Sequence, residues 1–374
     1  MKDQDRNDRE SLEEIQAETT VSKNQTEQKQ HKRRVRYKGT HPRSYQEKYK
    51  ELNPEKYKDT VERVIQKGGT PAGMHISICV NEILDFFDIQ PGQTGLDATL
   101  GYGGHTKEML KCLQGQGHLY ALDVDPIESV KTKERLEKAG YGEDILTIRQ
   151  MNFADIDQIA REAGPFDFVL ADLGVSSMQI DNPERGFTYK KEGPLDLRLN
   201  PQKGVSAAER LKEVTEEELA GMLWENSDEP YADEIAATVM EKLRKGEPVE
   251  TTIQLQKAIE EALSFLPERE QKEAVKKSCQ RTFQALRIDV NSEFEVLYAF
   301  MEKLPTALAP GGRVAILTFH SGEDRIVKKA FKELKRAGIY SEIAQDVIRP
   351  SAEECTRNSR ARSTKMRWAV RAKE

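Results

Sequence analysis

The chain is 374 residues long, carries a formal net charge of -6 and is 37% hydrophobic, which suits two or three domains with buried cores. Its longest apolar runs, such as residues 314–319, are far shorter than the roughly 20 residues that cross a bilayer, so no membrane span is expected. The four cysteines form no CxxC pair, which argues against a disulfide framework and a metal site. Residues 1–30 lack the apolar core of a signal peptide, and we expect a cytoplasmic protein.

Charge is unevenly distributed along the chain. Residues 21–70 contain 14 Lys and Arg against 6 Asp and Glu, and residues 349–374 contain 8 against 3, whereas the body is acidic. Clustered basic segments attract phosphate even when the net charge is negative, so a nucleic-acid partner is compatible with the composition. Residues 1–70 are also poor in apolar side chains, which predicts a basic, largely disordered extension with one or two short helices within residues 45–67.

From residue 95 onward, β-rich runs alternate with helical patterns. Strands are predicted at 95–100, 118–123, 145–149 and 166–172, and helices at 104–113, 126–139 and 154–163. This alternation predicts parallel βαβ units and therefore a doubly wound, Rossmann-like α/β sheet. The next comparable strand, at 313–319, follows only after about 140 residues, far more than one connection needs.

The long gap predicts an inserted helical domain, because a crossover between parallel strands needs only about a dozen residues. Helices are predicted at 206–212, 215–226, 231–245, 252–263 and 294–304. The second of these begins with a capping box formed by Thr215 and Glu218. We assign residues 71–180 and 284–374 to the two parts of one α/β domain and residues 181–283 to the insertion.

The first predicted strand ends in a glycine-rich turn, Gly101-Tyr102-Gly103-Gly104-His105. Glycines allow backbone N–H groups to approach a ligand at a helix N-terminus, although a plain tight turn has the same pattern. Asp123 ends the second strand, where a carboxylate can accept hydrogen bonds from ribose hydroxyls, whereas Asp125 before Pro126 is predicted as a helix cap.

The nucleotide stays open at this point, since the turn is neither a full GxGxxG nor a Walker motif. Asp97 at the end of the first strand suits a cofactor with an ammonium group, such as S-adenosylmethionine, which favours methyl transfer. Ligands of such folds bind at the carboxyl ends of the strands. The fourth strand brings Asp172 to that edge and the fifth brings His320, for which substrate contact and a structural role have equal weight.

Several runs of the sequence together resemble the bacterial RsmH (MraW) family. They are residues 97–105, 172–179, 184–187, 193–198, 281–288, 308–313, 319–321, 323–328 and 360–363. The resemblance spans about residues 75–374 and implies a class I S-adenosylmethionine-dependent methyltransferase that is split by a substrate-recognition domain. It further implies methylation of N4 of a decoding-site cytosine (position 1402 in the usual bacterial numbering) of 16S ribosomal RNA. The implied partners are 16S ribosomal RNA or the small ribosomal subunit, with no membrane and with a homodimer left open.

The resemblance also implies which residues hold the cofactor. The matching positions are Gly103, Gly104, His105, Asp123, Phe153, Asp172 and Gln179. Methylation of an exocyclic amine is an in-line displacement that needs no metal, and an acceptor must hold the amine close to the methyl carbon. We nominate Asp172 as this acceptor, assisted by Ser176 or Ser177. The flipped base needs an aromatic partner, for which the candidates are Tyr102, Phe187 and Phe319.

The chain departs from the family pattern in places, among them Gly322, where members carry a bulkier residue. Two alternatives remain open. One is a noncatalytic ribosome-assembly factor that reads RNA through Arg281, Arg287, Arg360, Arg362 and residues 21–70. The other is an amino-methyltransferase acting on another RNA or on DNA. Cytosine C5 methylation is disfavoured, because no cysteine follows the fourth strand.

Overall fold

The computed structural model describes residues 77–373. The predicted extension at residues 1–70, its short helices and the first six residues of the first α/β segment lie outside the described residues. Within 77–373, no helix is both long and apolar enough to cross a membrane.

A seven-stranded sheet forms the centre of the α/β part. Its strands are β1 Thr94–Asp97, β2 His118–Asp123, β3 Leu146–Gln150, β4 Phe166–Asp172, β5 Leu308–Thr318, β6 Tyr340–Ile343 and β7 Lys365–Arg371. Their order is β3-β2-β1-β4-β5-β7-β6. Strands β1 to β5 pair in parallel, and β7 runs antiparallel to both β5 and β6. The predicted Rossmann-like sheet is therefore confirmed, with two further strands that the sequence pattern did not reveal.

Thirteen α-helices surround or extend this sheet in the described part of the chain. They are α1 Val80–Phe87, α2 Gly104–Leu113, α3 Pro126–Lys138, α4 Ile156–Ala163, α5 Ser177–Asp181, α6 Ala207–Glu213, α7 Glu216–Ser227, α8 Ala232–Arg244, α9 Thr252–Ala262, α10 Glu268–Asn291, α11 Glu293–Ala307, α12 Ser321–Arg336 and α13 Ala352–Arg357. Every helix predicted between residues 104 and 304 is present within about three residues of its expected ends.

Local capping explains where several of these helices begin. Asp125 accepts hydrogen bonds from the backbone N–H groups of Ile127 and Glu128, so its predicted role as the cap of α3 is confirmed. The predicted Thr215 and Glu218 capping box at the start of α7 is also present. Capping boxes of the same kind begin α6 and α9 in the insertion.

Both faces of the sheet are covered, as a parallel sheet requires. Along β5, Val314 and Ile316 belong to one hydrophobic cluster, whereas Ala315 and Leu317 belong to another. A third cluster lies among the inserted helices and includes residues from Phe187 to Leu286. The predicted boundary at residue 283 falls inside α10, which runs on to Asn291. The division into domains stays a prediction.

Candidate functional site

A cavity of about 640 Å³ opens at the carboxyl ends of the parallel strands. Its walls come from the glycine turn after β1, the loops after β2, β3 and β4, the junction of α10 with α11, and the segment after β5. All nine site residues predicted from the sequence line it: Gly103, Gly104, His105, Asp123, Phe153, Asp172, Ser176, Ser177 and Gln179. The fold thus brings together residues from four separate loops.

The glycine turn is held tightly against α3. The Thr132 hydroxyl donates a hydrogen bond to the carbonyl oxygen of Gly101 at 2.6 Å. Gly103 has a φ of 80°, and a Cβ atom there would lie 2.7 Å from Cγ2 of Thr132. Only glycine fits this close approach in the left-handed region. The Gly103 Cα thus packs directly against α3, and the N–H groups of Gly101 and Gly103 donate to Asp123 and to the Leu100 carbonyl oxygen.

Asp123 braces the same turn from the end of β2. Its two carboxylate oxygens accept hydrogen bonds from the backbone N–H groups of Gly101 and Asp125, each at 2.8 Å. Burial raises the pKa of Asp123 to about 7, and these two hydrogen bonds oppose the rise. Each carboxylate oxygen keeps a further lone pair. Asp123 can therefore shape the turn and accept a ligand hydroxyl at the same time.

Asp97, which suited an ammonium group by its position in the sequence, does not line the cavity. It is only 1% exposed, because it lies beneath the turn. Its carboxylate accepts hydrogen bonds from the Thr106 hydroxyl at 2.6 Å and from the backbone N–H of Thr99 at 3.1 Å. The structure shows Asp97 anchoring the start of α2.

Asp172 faces the cavity at the end of β4. In the described part of the chain its Oδ1 is buried without a hydrogen-bond partner, and its Oδ2 lies 3.5 Å from Nδ1 of His105. Burial raises the pKa of Asp172 to about 6, with further increases from the charges of Asp97 and Glu323 and a decrease from His105. A buried, unpartnered carboxylate oxygen is costly, so this atom is suited to an N–H donor from a ligand.

His105 is oriented by a second contact. Its Nε2 lies 2.9 Å from the carbonyl oxygen of Ile78, so this nitrogen must carry a proton. In the neutral ring, Nδ1 is then an acceptor that faces the Asp172 carboxylate.

The loop after β4 is fixed by a capping box. The Ser176 hydroxyl accepts a hydrogen bond from the Gln179 backbone N–H at 3.2 Å, and the Gln179 amide oxygen accepts one from the Ser176 N–H at 2.8 Å. The Gln179 amide nitrogen also donates to Asp125 at 3.0 Å. Ser176 and Gln179 therefore hold α5 in place beside the cavity, and Ser177 begins that helix.

A buried ion pair connects this region to the inserted helices. Nη1 of Arg185 lies 2.7 Å from Oδ2 of Asp125, and Asp125 is completely buried. Nη2 of Arg185 donates to the carbonyl oxygens of Arg198 and Leu199 at 3.1 and 2.8 Å. The sequence predicted Asp125 only as a helix cap, because its partner is 60 residues away in the chain.

The three aromatic candidates for base stacking differ in whether they line the cavity. Tyr102 and Phe319 line the cavity, and the guanidinium of Arg135 lies 3.8 Å above the Tyr102 ring. Phe187, the third candidate, does not line the cavity. Its side chain is buried in the hydrophobic cluster of the insertion. Phe153 forms a wall of the cavity and packs edge to face against Phe300 at 5.1 Å.

Two further carboxylates, which the sequence did not single out, line the same cavity. Glu293 and Glu323 both line it, whereas His320 lies behind them. Arg287 binds both oxygens of Glu293 at 2.7 and 2.9 Å, so it has a partner inside the site and is largely buried. Arg360, another predicted RNA contact, lines the cavity and pairs with Asp181 at 3.0 Å.

The departure at Gly322 has a structural reason. A Cβ atom at this position would lie 2.6 Å from the Phe294 ring and 3.2 Å from the His320 ring. Phe294 therefore fills the space that a bulkier residue would need. Only glycine leaves both rings where they are.

Two groups of side chains have the spacing of metal ligands within residues 77–373. They are Cys79 with Glu82 and Glu354, and Glu293 with His320 and Glu323. Glu354 already accepts a hydrogen bond from the Cys79 backbone N–H at 2.9 Å, and both carboxylate oxygens of Glu293 already accept hydrogen bonds from Arg287. The absence of a bound metal stays a prediction.

Comparison with known proteins agrees with this architecture. Residues 72–372 match the model of the MraW methylase family. The chain is 71% identical to a protein of Lachnoclostridium phytofermentans called ribosomal RNA small subunit methyltransferase H 1, over 91% of this chain and 93% of the relative. It is 70% identical to a protein of the same name from Agathobacter rectalis, over 93% and 99% of the two chains. A protein of Alkaliphilus metalliredigens called ribosomal RNA small subunit methyltransferase H 2 is 66% identical over 91% and 97%. The sheet is that of a Rossmann-like class I fold, and the chain belongs to the MraW methylase family.

Proposed function

We propose that this protein transfers a methyl group from S-adenosylmethionine to N4 of a decoding-site cytosine in 16S ribosomal RNA. The relatives are called ribosomal RNA small subunit methyltransferases. The observation that carries the proposal is the buried, unpartnered Oδ1 of Asp172, which lies in the same cavity as the glycine turn. We expect a cytoplasmic enzyme whose partner is 16S ribosomal RNA or the small subunit, and a homodimer stays open.

The residues on the nucleotide side of the cavity fit the cofactor. Gly104 and His105 line the cavity at the N-terminus of α2, where the first N–H groups of a helix have no partner within the helix, and Asp123 supplies lone pairs for ribose hydroxyls. His105, Phe153, Asp172 and Gln179 complete the set that we propose for cofactor binding. When bound there, S-adenosylmethionine supplies an electrophilic methyl group.

Asp172 would hold the target amine. The exocyclic nitrogen must lie about 3 to 3.5 Å from the methyl carbon, and such positioning can contribute roughly 7 to 11 kcal/mol to lowering the barrier. A pKa of about 6 leaves Asp172 mostly ionised at neutral pH and makes it a better base than an ordinary aspartate. It can thus accept an N–H hydrogen bond before transfer and the released proton afterwards, with Ser176 or Ser177 assisting.

The target cytosine has to flip out of the RNA base stack to reach Asp172 in the cavity. Tyr102 and Phe319 line the cavity and are the remaining stacking candidates, each contributing about 1 to 3 kcal/mol if a base stacks on it. Lys203 and Arg360 also line the cavity and offer positive charge to the RNA backbone. Arg281, Arg362 and residues 21–70 are proposed as further RNA contacts.

The test is methyl transfer in a purified system. Small ribosomal subunits that lack the modification are incubated with the protein and isotopically labelled S-adenosylmethionine, and the RNA is digested to nucleosides for mass spectrometry. We expect label in N4-methylcytidine. Label in another nucleoside contradicts the proposed position, and unlabelled RNA that nevertheless binds the protein supports a noncatalytic assembly factor.

A further inference from the structure

Glu323 is a buried carboxylate on the cavity wall that the proposed mechanism does not yet use. It is 3% exposed. Its Oε2 accepts the Phe319 backbone N–H at 2.8 Å, and its Oε1 lies 3.2 Å from Nε2 of His320. Within residues 77–373, no lysine or arginine forms an ion pair with Glu323. A carboxylate offers about four acceptor positions, so Glu323 has capacity left for a donor in the cavity.

The neighbouring Glu293 differs in this respect. Both of its oxygens are bound by the guanidinium of Arg287. The ligand atoms of Glu293, His320 and Glu323 lie within 4.8 Å of one another, which is also a cation-binding distance. Because Arg287 already neutralises Glu293, the group is better suited to one more neutral N–H donor than to a divalent ion.

Asp172 and Glu323 are the two carboxylates that remain available, and their pKa values are shifted in opposite directions. Burial acts to raise the pKa of Glu323, but the contacts with His320 and the Phe319 N–H, together with the charge of Arg287, outweigh it and hold this pKa below its ordinary value. The charge of Glu323 in turn contributes to the raised pKa of Asp172. Carboxylates whose pKa values are pushed apart often divide acid–base roles between them.

We propose that Glu323 is a second acceptor for the target amine and that it selects an exocyclic NH2 over a carbonyl oxygen. This inference rests on the proposed function. The cytosine amine has two N–H bonds, of which one points to Asp172 and the other to Glu323. The N4 lone pair forms the new N–C bond while the C–S bond breaks with its electron pair staying on sulfur, so the positive charge passes from sulfur to N4. The proton facing Asp172 then leaves to that carboxylate, and Glu323 holds the N–H that stays in the product.

Uracil is rejected by the same arrangement. Its O4 has no N–H to donate, and its lone pairs would face two buried carboxylates. A base contact of this kind is worth roughly a tenfold or greater preference between the right and the wrong base.

His320 is a positioning residue in this arrangement. Its Nε2 contacts Glu323, and its ring packs against Phe294 at 5.8 Å between centroids. The absence of a side chain at Gly322 leaves room for both rings. The Nε2 atom is buried and has no aligned hydrogen-bond partner within residues 77–373, so His320 limits the direction of the Glu323 carboxylate by close contact.

The test compares Glu323→Gln with the wild type and with Glu295→Gln, which removes an exposed carboxylate of α11 outside the cavity. Small ribosomal subunits carrying cytosine or uracil at the target position are titrated in the presence of S-adenosylhomocysteine, which prevents turnover. The glutamine amide can donate to O4 of uracil, so we expect the cytosine preference of Glu323→Gln to fall about tenfold. Glu295→Gln should keep the wild-type preference. A Glu323→Gln variant that keeps it overturns the inference.

Two further variants keep the proposal testable if Glu323→Gln does not fold. Glu323→Asp retains a carboxylate in a shifted position, so turnover should fall while cytosine is still preferred, and wild-type turnover would contradict the role. His320→Gln keeps an N–H donor and should retain more turnover than His320→Ala, whereas equal turnover in both would remove the positioning role. If the wild type itself forms no N4-methylcytidine, the proposed function fails. If it does and only the Glu323 results disagree, the inference alone fails.

Discussion

Replacing Arg185 with methionine should destabilise the protein strongly, because this arginine connects the nucleotide side of the cavity to the inserted helices. The substitution removes the 2.7 Å contact with Asp125 and the two hydrogen bonds to the carbonyl oxygens of Arg198 and Leu199. Methionine fills a similar volume without any donor. The Arg185→Met variant therefore isolates the polar contacts from the packing.

The expected loss follows from the burial of the pair. Breaking a buried ion pair by removing one partner costs about 3 to 5 kcal/mol. Asp125 keeps three other donors, the backbone N–H groups of Ile127 and Glu128 and the amide of Gln179, so the lower end of this range applies. A loss of about 3 kcal/mol corresponds to a fall in Tm of roughly 6 to 12 °C.

The measurement is thermal unfolding followed by circular dichroism. The matched control is Arg244→Met, which removes the ion pair with Glu216, where both side chains are exposed and the contribution is about 0 to 1 kcal/mol. Cofactor affinity measured by calorimetry should fall in Arg185→Met and not in the control. Equal, small changes in Tm for both variants would refute the reasoning.

Further predictions concern Asp123, Asp172 and the two phenylalanines Phe187 and Phe319. Asp123→Ala should weaken cofactor binding by about 10- to 150-fold, or roughly 1.5 to 3 kcal/mol, and unchanged calorimetric affinity would remove the ribose assignment. Burial raises the pKa of Asp172 to about 6, so the wild-type rate of methyl transfer should fall as pH drops through about 6. Because the folded-state pKa of Asp172 lies above its unfolded value, the protonated carboxyl stabilises the fold at low pH, and this stabilisation is lost as pH rises through about 6. The Asp172→Asn variant should therefore have a higher Tm than the wild type at pH 8 and lose this advantage near about pH 4. Phe187→Ala should cost about 3 to 5 kcal/mol of folding stability, whereas Phe319→Leu should mainly weaken RNA binding in a titration. If Phe187→Ala weakened RNA binding and Phe319→Leu lowered folding stability instead, the core role and the stacking role would have to be exchanged.

The sheet and most helices could be predicted because their signals are local. Parallel strands are short, mainly apolar runs such as residues 166–172, and caps such as Asp125 and Thr215 lie next to the helices that they begin. Helix α10 was missed because seven of the twelve residues in its first half, 268–279, are charged, which conceals the few apolar positions Ala274, Val275 and Cys279 that pack on the core. Strand β6 has only four residues, of which the two central ones are exposed.

The placement of cavity residues was predictable where they lie at the end of a strand, as Asp123 and Asp172 do. It was not predictable where two distant segments meet. The pair of Arg185 with Asp125 depends on tertiary packing, and so does the meeting of Glu323 with the junction of α10 and α11. Phe187 follows Gly186 in a loop and Phe319 directly follows the end of β5, and only their packing distinguishes the core side chain from the cavity wall.

The most direct test of the central claim is single-turnover formation of N4-methylcytidine by the wild type and by Asp172→Asn on the same unmodified small subunits. The asparagine keeps the shape of the side chain but can neither hold the amine as a carboxylate nor take its proton. With cofactor saturating for both proteins, we predict that the wild type forms N4-methylcytidine at the decoding site and that the variant is slower by about 100-fold or more. A variant that forms the same product at a near-normal rate would contradict the assignment of Asp172.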